Sequence, residues 1–102
     1  MGFLNAMSSV GKINELLKDF ENEVTISQDL VRRDAPKESL MNSLNVMKSI
    51  HQQMIDTFSN SSAARVAVYK IFGDKMRMCE ILTYSKNVIF NLYAFIKLNS
   101  EE

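Results

Sequence analysis

Few residues of this 102-residue chain belong to the types that do chemistry, so their surroundings matter more than their number. There is one histidine, His51, and one cysteine, Cys79. A histidine that shuttles protons or holds a metal needs a carboxylate, thiol or second imidazole about one helical turn away, and those places hold Met47, Lys48, Met54 and Ile55. His51 therefore reads as a core or boundary histidine. Arg77 and Lys75 stand near Cys79 and would lower a thiol pKa, but no resolving cysteine or second histidine completes a nucleophile. Cys79 reads as a packed thiol. A single cysteine also excludes an internal disulfide and a structural zinc tetrad. The carboxylates Glu15, Asp19, Glu21 and Glu23 fall beside Leu17, Phe20 and Val24 as a solvated face would, with no sign of an acid–base pair. No glycine-rich phosphate loop, GxSxG or HExxH is present. The expectation is a non-enzyme with no catalytic residue, no metal site and no cofactor.

Methionine is the remaining unusual type, at seven copies. Thioethers at helical spacing serve mainly as core filler, but a flexible methionine surface also adapts to ligands and partners. A cavity bordered by His51, Met47, Met54 and Cys79 is the place where a small ligand would sit in this chain.

These residues must be positioned by helices. Three glycines and one proline leave few forced breaks. Steps of three and four residues connect Phe3, Ala6, Val10, Ile13, Leu17, Phe20, Val24, Ser27 and Val31, a helix stripe that predicts a first helix over about 9–32, with 2–8 as an amphipathic lead-in. Asp34-Ala35-Pro36 follows, where Asp can cap a helix and Pro suits its first turn, so a second helix is expected over 35–58. Its seam is Leu40, Leu44, Met47, His51, Met54 and Phe58, widened by Met41, Ile50 and Ile55. Four turn-formers, Ser59 to Ser62, end it. Beyond them Val68, Ile71, Phe72, Met78, Leu82, Ile89, Leu92 and Ile96 mark helices over 62–72 and 74–98, with a break or kink at Gly73-Asp74 and a flexible tail at 99–102. Residues 88–98 are apolar nearly all round and rich in strand-favouring types. No second segment offers a partner strand, so helix is expected there. The fold class is all-α: an antiparallel bundle of three to four helices in a single domain.

Charge narrows the partners. Twelve Lys plus Arg balance twelve Asp plus Glu, where a nucleic-acid binder usually carries a basic excess. The balance is uneven along the chain: Met1 to Asp34 carries four basic and six acidic residues, Ala63 to Glu102 six basic and four acidic. Acidic Asp19, Glu21, Glu23 and Asp29 and basic Arg65, Lys70, Lys75 and Arg77 can therefore set which helices are neighbours. Arg65, Lys70 and Arg77 form the only basic patch a nucleic-acid-contacting regulator would use, without helix-turn-helix spacing to support it. The N-terminus lacks a signal-peptide pattern, no run reaches the roughly 20 apolar residues of a span, and Ala6 spoils a myristoylation start, so a cytoplasmic protein without membrane contact is expected. The last helix has more apolar circumference than two neighbours in a small monomer cover. That predicts a non-catalytic protein-protein interaction module, acting as a homodimer through Phe90, Tyr93, Phe95 and Ile96. A small-ligand-binding bundle is the alternative.

Overall fold

The computed structural model describes the backbone of residues 2–59 and 78–100, and the side chains of 11–59 and 80–99. The described residues form three helices, α1 (Gly2–Arg32), α2 (Lys37–Ser59) and α3 (Met78–Ser100), in an all-α packing with α2 between the other two. No helix is long and apolar enough to cross a membrane among the described residues. The Gly73-Asp74 break and the helix expected over 62–72 lie outside them.

Helix α1 begins at Gly2, so the stretch 2–8 expected as a lead-in is part of the helix, and Gly11 does not interrupt it. Gly11 is exposed and a methyl added at its Cα would meet nothing within 4 Å. Its only effect is entropic, so Gly11→Ala is expected to stabilise the fold by about 1 kcal/mol, read as a higher urea midpoint. The β-branched run Val24-Thr25-Ile26 stays helical, as the expected end at Arg32 requires.

The α1–α2 turn corrects the reading of Asp34. It does not cap α2; it closes α1 in the left-handed region with φ 57°. Its N–H donates to the Val31 carbonyl at 3.2 Å, and the Ala35 N–H donates to the Leu30 carbonyl at 2.9 Å. These two bonds form a Schellman closure that satisfies orphan carbonyls at the end of α1, and Asp is among the few side chains that tolerate this backbone. Helix α2 then starts at Lys37, later than expected, with the Pro36 carbonyl accepting from the Ser39 and Leu40 N–H groups.

The core is continuous. Ile13, Leu16, Leu17 and Phe20 of α1 meet Leu40, Leu44, Met47, Ile50, Met54 and Phe58 of α2, and Ile81, Leu92 and Ile96 of α3. The stripe expected along α1 is buried at Ile13, Leu17, Phe20 and Ser27, half-buried at Val24 and exposed at Val31. Three hydroxyls sit inside α1 and α2, and two are satisfied by the preceding turn: Ser27 Oγ donates to the Val24 carbonyl and Thr57 Oγ1 to the Gln53 carbonyl, both at 2.8 Å. Ser43 Oγ is buried with no partner. Replacing it removes an unmet hydrogen-bonding group and raises helix propensity, so Ser43→Ala is expected to stabilise the protein by about 1 kcal/mol in denaturant unfolding.

Candidate functional site

Three features of the surface and seams bear on function: a polar link between α2 and α3, an apolar outer face on α3, and a groove between α1 and α3. The polar link joins His51, half-buried on the α2 seam, to Ser85, which is fully buried on α3. Ser85 Oγ lies 2.5 Å from His51 Nδ1 and donates to the Leu82 carbonyl at 3.1 Å. A hydroxyl has one proton and can also accept, so the tautomer of His51 sets which of the two groups donates in this bond. The hydroxyl thus bridges the imidazole of α2 and the Leu82 carbonyl of α3. Burial, and then the positive charge of Lys86, push the His51 pKa below its ordinary value. The neutral imidazole is the favoured form. A serine nucleophile would need a surface open to substrate, and Ser85 is fully buried. The pair fastens helices.

The residues expected beside His51 for a ligand are core residues. Met47 and Met54 are fully buried in the continuous cluster, and the Cys79 side chain lies outside the described residues. The basic patch Arg65, Lys70 and Arg77 also lies outside them. Ser85 was not singled out from the sequence, although a signal was there: it fills the gap between Leu82 and Ile89 on the apolar line of α3. A small polar residue at a seam position often marks a close approach or a buried hydrogen bond.

The solvent side of α3, which runs from Tyr93 around through Phe90 and Leu98 to Phe95 at the edge of α1, has the opposite character. Phe90 is 67% exposed, Tyr93 47%, Phe95 39% and Leu98 69%. The Lys97 ammonium sits 6.0 Å from the centre of the Tyr93 ring, which places a cation beside this apolar surface. Ile96, expected on the same face, points into the core at 4% exposure, because its position follows Leu92 by one helical turn. It contributes to folding and is not part of the exposed face.

Between α1 and α3 the packing opens. Phe20 and Tyr84 make an edge-to-face contact with centroids 5.9 Å apart. Burial, with the nearby Glu21 carboxylate, raises the Tyr84 pKa. Further along, a groove of about 350 Å³ lies between Val24, Gln28 and Val31 on α1 and Val88, Leu92 and Phe95 on α3. It shares Val31 and Phe95 with a cleft of about 240 Å³ at the α1–α2 turn, floored by Leu30, Leu40 and Ile96. Compared with models of known families, with curated proteins and with solved structures, the chain matches none.

Proposed function

We propose that the protein is a non-catalytic helical interaction module that associates with a second copy of itself through apolar surface contributed by α3. The observation that carries this reading is the exposure of Phe90, Tyr93, Phe95 and Leu98 on one helix. Single exposed apolar residues are ordinary on a small protein, but these four large side chains within three turns give α3 apolar surface around more than half of its circumference, more than an ordinary monomer leaves open. Aromatic anchors supply much of the energy of such contacts. The polar link supports the non-catalytic part, since the hydroxyl beside the imidazole is fully buried, away from any substrate.

Light scattering and sedimentation equilibrium on the purified chain test the proposal. A mass of two chains at micromolar concentration is expected, and Phe95→Ser combined with Phe90→Ser is expected to return the monomer with unchanged helicity. A strictly monomeric particle at high concentration overturns it.

A further inference from the structure

The α1 edge of the open groove carries a polar row that is complementary to itself when reversed. Glu21, Thr25, Gln28 and Arg32 follow one another at helical spacing, and all four are exposed. Eleven residues are three helical turns, so Glu21 and Arg32 lie on one line of α1 about 16 Å apart. Gln28 itself lines the groove, and Glu21 is close enough to Tyr84 to raise its pKa, so the row runs along the side of α1 that looks toward α3. Neither the Glu21 carboxylate nor the Arg32 guanidinium has an ion-pair partner among the described residues, in contrast to Arg33, whose guanidinium holds Asp29 at 2.9 Å.

Laid antiparallel on its own copy, this row pairs Glu21 with Arg32, Thr25 with Gln28, Gln28 with Thr25 and Arg32 with Glu21. A two-fold interface demands this reciprocity: if one residue meets a second, the second must meet the first. The parallel alternative sets carboxylate on carboxylate and guanidinium on guanidinium, which is repulsive. We propose that two copies of the chain pack through the α1–α3 face with their α1 helices antiparallel, the two-fold axis passing between Thr25 and Gln28. This inference rests on the self-association reading and adds to it the face and the register. Apolar surface supplies the driving force, as Val31 and Phe95, both part-exposed at the groove wall, become covered beside the row. The two reciprocal charge pairs select the orientation.

Charge reversal on the full chain tests the register, with sedimentation velocity reading the dimer dissociation constant and circular dichroism confirming the fold. Glu21→Arg alone and Arg32→Glu alone each convert both ion pairs of the dimer into like-charge pairs. Each is expected to weaken association by about tenfold, from two altered surface pairs. The double variant E21R/R32E restores opposite charges across the axis and is expected to return the dissociation constant to that of the unmodified chain. A dimer indifferent to the single reversals, or one that the double reversal fails to restore, overturns the register while self-association stands. A chain that is monomeric throughout overturns both.

Discussion

Phe20→Ala is expected to destabilise the protein by about 3–5 kcal/mol, read as a large fall in the urea midpoint at unchanged slope. Phe20 is fully buried, so truncation removes a whole ring from the core and leaves a cavity that rigid helices fill only in part. It also deletes the edge-to-face contact with Tyr84, an aromatic contact between α1 and α3. Helices α1 and α3 each pack mainly on α2, so few contacts compensate for losing this one. Domains of this size have stabilities of about 5–15 kcal/mol, so the variant should approach the limit of folding. Phe20→Leu keeps most of the volume and is expected to lose clearly less; equal losses for the two variants would show that the ring is not packed as described.

The second large effect belongs to the His51–Ser85 link. Ser85→Ala removes the hydroxyl that bonds both His51 Nδ1 and the Leu82 carbonyl, at an expected cost of about 1–3 kcal/mol. The link also makes stability depend on pH, with a definite sign. The folded-state pKa of His51 lies below the ordinary 6.5, because of burial first and Lys86 second. As pH falls through that value the unfolded chain takes up a proton that the folded chain resists, so unfolding gains free energy. The contribution is complete above about pH 6.5, shrinks as pH drops toward the folded-state pKa, and is constant below it. Denaturant midpoints at about pH 7.5 and 5.5 should therefore separate more for the unmodified protein than for His51→Gln. An equal separation would assign the acid sensitivity to other groups.

The helices were legible because their apolar spacing is regular and their breakers are few. The seam of α2 appears in the structure residue for residue, from Leu40 to Phe58. Errors fell at helix ends. The first helix was expected from about 9 and starts at Gly2, since the core residues Ile13, Leu16, Leu17 and Phe20 give α1 a tertiary support that outweighs the unfavourable backbone of Gly11. Asp34 satisfies the composition rules for both a helix start and a left-handed helix end, and only the backbone angle separates the two. Ile96 was grouped with its exposed neighbours on total apolarity, which is blind to the direction each side chain takes.

One histidine, one cysteine and no recognisable catalytic spacing were visible in the sequence from the start, as were the all-helical class and most of the core, since composition and period depend on the chain alone. Tertiary structure decided everything that needs two helices at once. It set the buried hydroxyl of Ser85 against the imidazole of His51, and it opened the groove that brings Val31 and Phe95 to one surface. Periodicity says which face of a helix is apolar; how neighbouring helices approach and diverge says whether that face is covered, and that approach depends on packing between residues far apart in the chain.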